Sequence, residues 1–216
     1  MMRCSKYVSL LILVLFTACG NPYKHLQQSG AKQGSVLRFR PVITKEVYRC
    51  IVDGRVLFKK FHLSGILLFK TFEDGSTRAV FQNEMGFSFF DFKWDEKDSF
   101  QVISIMPQLN KPALIKLLQK DMNLVLMKNL DSTTEKIFTQ QDETYNRFSL
   151  EKGYAYYITQ NGALKRIENA GKNKVITITM TGRKDDKTLP ETMLFKHHKA
   201  HFTIDLKKIT TEEHAE

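Results

Sequence analysis

A chain of 216 residues, 42% hydrophobic and 26% charged, can bury one substantial core and has an ordinary globular composition, which excludes a disordered or collagen-like chain. Its formal net charge of +10 favours anionic lipid headgroups or an acidic partner, and equally suits a plainly solvated surface. Of the three cysteines, Cys4 and Cys19 lie in the first stretch and Cys50 stands alone in the remainder, so no intrachain disulfide framework is available.

Residues 1–20 have the form of an export address. Arg3 and Lys6 give a short positive region, residues 7–16 are an almost unbroken apolar run, and Phe16-Thr17-Ala18-Cys19 closes it with small residues before a cysteine. The run is shorter than the roughly 20 apolar residues of a spanning helix and matches a secretory segment of about 7–15. The tail resembles a bacterial lipoprotein signal, although Phe16 stands where most such signals carry Leu, Val or Ile. That resemblance implies loss of residues 1–18 and acylation of Cys19 as the membrane anchor. An ordinary signal cut after Ala18 and an uncleaved anchor are the alternatives. Residues 19–41 then form the lipidated N-terminus and a flexible tether, polar and rich in Gly, Gln and Ser over 20–35. Nucleic acid is not expected as a partner of an exported chain. No acidic run follows Cys19, so a periplasm-facing orientation is expected.

The domain is expected over residues 42–209, mostly as strands. Residues 42–52 alternate and lead to Asp53-Gly54, a hairpin signal. Residues 56–72 form a long strand interrupted at Gly65 by a bend or bulge. Asp74-Gly75 marks a turn, residues 77–83 and 86–94 extend again, residues 95–98 are a polar turn, and 100–106 return. Asn110 as cap and Pro112 in the first turn predict one helix over 113–121, with Leu114, Leu117 and Leu118 on one face. Strands resume at 123–128, 136–145 is ambiguous, and 154–160 ends in the hairpin signal Asn161-Gly162 before 163–168. Strands over 174–181, 190–197 and 200–206 complete the domain, and 210–216 is a polar tail.

Three stretches carry a resemblance to the LolA/LolB-like superfamily of bacterial lipoprotein carriers and receptors. They are Leu63-Ser64-Gly65-Ile66-Leu67-Leu68-Phe69, the aromatic-rich residues 86–106 with Trp94 leading through Pro107 to a helix and the next strand at 126, and residues 189–206 with Pro190 opening the penultimate strand. The resemblance implies a mainly β (α+β) fold: a curved, incomplete antiparallel β-barrel with a short helix or helices plugging the open side. It also implies an outer-membrane lipoprotein. The protruding apolar loop of the receptor has no counterpart in these stretches.

In residues 86–94, Phe90, Phe92 and Trp94 alternate to one face, and Phe87 and Phe89 to the other. A strand apolar on both faces needs cover on both, either as two parts of a filled core or with one face lining a cavity. The cavity reading assigns its lining to Phe69, Phe81, Phe90, Phe92, Trp94, Ile103 and Ile105, with Leu114 and Leu118 from the helix. Its ligand would be an acyl chain, a lipid or a lipoprotein. The alternative is an accessory lipoprotein of an outer-membrane assembly, with a filled core and a protein partner.

No catalytic set, cofactor or metal is expected. His197, His198 and His201 suit a solvated turn, without an acidic or cysteine ligand near them in sequence. Asp95, Glu96 and Asp98 lack the spacing of a calcium loop. Ser64-Gly65 lacks the context of a nucleophile elbow. Cys50 sits in an apolar alternation and suits a small buried hydrophobe.

Overall fold

The computed structural model describes residues 22–29, 35–56 and 59–209; the leader, Cys19 and the tail 210–216 lie outside them. The strands are β1 (Gln27–Gln28), β2 (Lys45–Val56), β3 (Lys59–Thr71), β4 (Thr77–Gln82), β5 (Ser88–Trp94) and β6 (Phe100–Ile105), followed by helix α1 (Pro112–Leu126). Then come β7 (Lys136–Gln140), β8 (Glu143–Ser149), β9 (Tyr154–Gln160), β10 (Ala163–Ala170), β11 (Lys174–Thr181), β12 (Thr192–His197) and β13 (Phe202–Lys208).

All pair into one 13-stranded antiparallel sheet in the order β1-β7-β8-β9-β10-β11-β12-β13-β2-β3-β4-β5-β6. Two meanders, β2 to β6 and β7 to β13, are joined where β13 pairs with β2. β1 and β6 are the two free edges, so the sheet is not closed. This is the expected mainly β architecture, a curved incomplete barrel with a helix on its inner face.

Strict alternation builds that inner face. Along β11, Ile176, Ile178 and Met180 are buried while Thr177, Thr179 and Thr181 point outward. Across the first meander, Tyr48, Leu67, Phe81 and Phe90 are successive register partners and form one buried row. A parallel row runs Phe69, Ala79, Phe92.

Helix α1 starts at Pro112, whose missing N–H costs nothing in the first turn. Lys111, not Asn110, is its N-cap and supplies no side-chain bond. The helix runs on to Leu126, through residues expected as a strand. Leu118, Met122 and Val125 form an apolar stripe at helical spacing that the sheet buries. Met127 ends it in the left-handed region, φ 52°, with its N–H bonded to the Asn123 carbonyl.

Two glycines do different work from that expected. β2 continues straight through Asp53-Gly54, and the ring of Phe61 lies where a Gly54 Cβ would stand, 2.4 Å from it. β3 is likewise continuous through Gly65, where a Cβ would sit 2.0 Å from the Gln82 carbonyl oxygen. Gly65 thus permits a close backbone approach. The turns at Asp74-Gly75 and Asn161-Gly162 form as expected, with Asn161 and Gly162 both at positive φ.

Part of the expected tether is laid on the outer face of the sheet. β1 pairs with β7, and the Tyr23 ring stacks on Tyr156 at 4.0 Å. The Tyr23 hydroxyl donates to Glu168, which is almost wholly buried and also receives Arg166 and Lys174. Burial pushes the Glu168 carboxyl up, but the bonds from Lys174, Tyr23 and Arg166 outweigh it and hold the group below its ordinary value.

Candidate functional site

The alternating strands have two ends. At the end where α1 begins lie the connections β2–β3, β4–β5, β8–β9, β10–β11 and β12–β13; this end is called the mouth. At the opposite end, the base, lie β3–β4, β5–β6, β9–β10 and β11–β12.

α1 reaches across the inner face and is fixed by polar contacts to both meanders. Trp94 Nε1 on β5 donates to Asn123 Oδ1 at 2.7 Å. The Tyr157 hydroxyl on β9 donates to the Leu124 carbonyl at 2.9 Å, and burial pushes that phenol far above its ordinary pKa. Lys120 Nζ donates to Asn169 Oδ1 on β10 at 2.9 Å, and burial lowers its pKa.

The deepest polar contact was not foreseen. Asp121 lies on the sheet-facing side of α1 and is 0% exposed. His197, at the end of β12, is turned inward away from the solvated pair His198 and His201. Its Nε2 lies 3.0 Å from Asp121 Oδ2, and its ring stacks on Phe202 at 3.8 Å. The contact lacks hydrogen-bond angles, and Asp121 Oδ1, Oδ2 and His197 Nε2 have no other hydrogen-bond partner. Burial drives the Asp121 carboxyl above its ordinary pKa, against the opposing pull of His197. His197 is thus buried, with an acid that is 76 residues away in sequence, not part of a solvated turn. Its place in the strict alternation of residues 193–197 was the available signal.

The expected lining residues fall into two groups. Phe69, Phe81, Phe90, Phe92, Trp94 and Leu118 are buried together in the main core. Phe90 and Phe92 stack at 4.4 Å, and Phe92 meets Trp94 and Phe100 edge-on. Phe89 joins them: the β4–β5 register shifts beyond Phe81, and both Phe89 and Phe90 pack on the Phe81 ring. Phe87, in contrast, is exposed. The second group is incompletely covered. Ile105 and Leu114 are half-buried against the core, and Ile103 is an unpaired bulge residue on edge strand β6, 50% exposed.

Cover of the core is incomplete at both ends: Leu37, Phe100 and Leu130 are half-buried towards the base. Towards the mouth, Val52, Leu63, Ile105, Met106, Leu114 and Phe202 are only half-buried. β3 outruns β4 there, since pairing stops at Ile66 with Gln82, and the β2–β3 arm stands clear. An open cleft of about 850 Å³ lies at the arm, lined by Asp53, Gly54, Arg55, Lys60, Phe61, His62 and His201. At the base, a smaller cavity of about 80 Å³ beside Ile43, Thr77 and Leu126 has room for a few waters.

Cys50 is buried on the inner face, and burial pushes its thiol up to about 12, so it is a core residue. Among the described residues no group of His, Cys, Asp and Glu has metal-site geometry, and no helix is long and apolar enough to cross a membrane.

No protein-family model and no curated protein matches the chain. Solved structures similar to it include an outer membrane lipoprotein-sorting protein domain from Vibrio parahaemolyticus, at 8% identity over 81% of this chain and 87% of that one, with a TM-score of 0.46. A DUF1329 family protein from Desulfovibrio piger is similar at 10% identity over 81% and 88%, with a TM-score of 0.45. The LolA superfamily protein NE2245 from Nitrosomonas europaea is similar at 9% identity over 81% and 89%, with a TM-score of 0.47.

Proposed function

We propose that this protein is a periplasm-facing binding protein, anchored to the outer membrane through acylated Cys19, that holds an acyl chain, a lipid or a lipoprotein between α1 and the inner face of its sheet. The observation that carries this reading is the uneven cover of the core. Its apolar surface is sealed at Phe92 and Trp94 and left half-covered at Leu63, Leu114 and Phe202 beside an open cleft. Each methylene inserted there contributes about 0.8 kcal/mol, so an acyl group is retained without covalent chemistry. The role is binding rather than catalysis, within outer-membrane lipid or lipoprotein traffic. The candidate lining keeps Ile105 and Leu114 at the entrance, with Phe69, Phe81, Phe90, Phe92, Trp94 and Leu118 as the packed floor.

A second reading is favoured by the same floor. Phe69, Phe92 and Trp94 are 0% exposed, as expected of an accessory lipoprotein with a filled core. Native mass spectrometry separates the two. Residues 21–216, which contain the whole described fold, are secreted to the periplasm and purified without detergent. A discrete co-purified lipid, lost in organic solvent and lost in Leu63→Asp, supports the binding role. A clean unliganded mass supports the accessory role and directs crosslinking towards an outer-membrane protein.

A further inference from the structure

We infer that the β2–β3 arm carries a phosphate-binding site, in which Arg55, Lys60 and His201 hold the anion. The first observation is the register of the arm. Arg55 stands directly opposite Lys60, and both side chains are exposed. Like charges directly opposite one another on an antiparallel pair are destabilising. Pairing nevertheless continues past them to Val56 with Lys59. An anion seated between the guanidinium and the ammonium replaces this repulsion with charge-assisted hydrogen bonds.

The second observation is a third donor, brought to the same place from far along the chain. The backbone N–H of Arg55 donates to the His201 carbonyl at 3.3 Å, which seats the β12–β13 turn against the arm. His201 is at φ 52°, in the left-handed region that residues other than glycine seldom adopt. Arg55, Lys60 and His201 accordingly line one open cleft with Asp53, Gly54, Phe61 and His62. An imidazole donates from a ring nitrogen whether it is neutral or charged. A planar guanidinium, a point-like ammonium and an imidazole around one cleft suit a tetrahedral oxyanion, which offers each of them an acceptor.

The third observation is that the neighbouring acids are few and engaged elsewhere. Among the described residues Asp53 is the only acid lining the cleft, and its carboxylate lies 2.7 Å from His62 Nδ1. The sequence holds no acid from Gly54 to Phe72. Asp205 stands opposite Ile51, further back along β2. Lys59, Lys196 and Lys199 are exposed and add positive charge, while His198 is held by Thr177. Among the described residues neither Arg55 nor Lys60 takes part in an ion pair. Phe61 gives the cleft an apolar wall, and Leu63 and Phe202 beyond it are half-buried. A phosphate that carries an acyl chain can lay that chain towards the core, whereas a free phosphate uses the donors alone. The lipid source rests on the binding role proposed above; the anion site does not.

The test uses residues 21–216 in low-salt, phosphate-free buffer and isothermal titration calorimetry. The probes are inorganic phosphate, dihexanoyl phosphatidic acid below its micelle concentration, and acetate. Both phosphate compounds are expected to bind, and acetate at least about tenfold more weakly. Phosphatidic acid bound at least about tenfold more tightly than inorganic phosphate assigns the site to a lipid headgroup, and a smaller difference assigns it to a free phosphate. Arg55→Gln with Lys60→Gln lowers the affinity for inorganic phosphate at least about tenfold. Lys184→Gln with Lys187→Gln, the same loss of charge in the β11–β12 connection, leaves it within about twofold. His201→Asn, whose side chain tolerates the left-handed conformation, weakens binding as well. Should the arm variant fail to fold, His201→Asn carries the test. No binding of either phosphate compound, equal binding of acetate, or equal loss from the two double variants would overturn the inference. Acyl retention is read separately by mass in Leu63→Asp, so the two proposals fail independently.

Discussion

Asp121 on α1 and His197 on β12 face each other at 3.0 Å in a part of the core where neither meets solvent. The pair ties the plugging helix to the second meander, as Trp94 and Asn123 tie it to the first. Removing the imidazole leaves the buried Asp121 carboxyl without its one polar neighbour from the sheet. His197→Leu is therefore expected to cost about 1–3 kcal/mol near neutral pH. Asp121→Asn, which leaves no stranded anion, costs less. Burial raises the Asp121 pKa, so the stranded anion is a burden above that raised value and is relieved by protonation below it. The penalty of His197→Leu should accordingly shrink in acid, and urea unfolding at neutral and acidic pH checks the sign.

The Trp94 contact has its own expectation. Trp94→Phe keeps most of the buried ring but removes the donor to Asn123, leaving that amide without its partner. A loss of about 1–2 kcal/mol is expected. Trp94 is the single tryptophan of the chain, so the comparison is made by circular dichroism rather than fluorescence.

The two crowded glycines should separate in a denaturation series. Gly65→Ala drives a methyl into the Gln82 backbone, which the β3–β4 ladder holds in place. Gly54→Ala meets the Phe61 ring and the Phe202 side chain, which can turn aside. Gly65→Ala is expected to cost about 3 kcal/mol or more, and Gly54→Ala about half as much. Equal costs would refute the close-approach role of Gly65.

On the outer face, Arg166 bonds hold the Glu143 carboxyl at about 2, against an ordinary 4.5. The folded value is the lower one, so this stabilisation is complete above pH 4.5 and is lost as the pH falls towards about 2. The pair is partly exposed, which limits it to about 1 kcal/mol. Glu143→Gln should lower stability by that much near neutral pH and by progressively less below 4.5.

Much of the fold was legible because alternation and turn chemistry are local. The strands after residue 154 and the turns at Gly75 and Gly162 follow from them directly. Residues 123–126 were misplaced because Asn-Leu-Val-Leu suits a strand as well as a helix, and only burial against the sheet decides. Asp53-Gly54 has the composition of a turn, yet its glycine is required by an aromatic ring seven residues further on. The inward alternation of Phe90, Phe92 and Trp94 was legible, but that Phe89 joins Phe90 on the Phe81 ring depended on the β4–β5 bulge. Asp121 with His197, and Tyr23 with Glu168, are invisible to any local window. Each joins groups that only the sheet order brings together.

The sheet order also bears on how the chain completes itself. Each meander is made of neighbouring hairpins, whose contacts are short in sequence and quick to form. One ladder between the meanders, β13 on β2, spans the length of the domain, from Phe202 paired with Gly54 to Lys208 paired with Tyr48. The strand that makes it is the last of the described strands. Until β13 is in place the protein is two half-sheets with bare edges, bridged only by α1. The C-terminal strand is the keystone of the arch, the one ladder that makes two half-sheets into one.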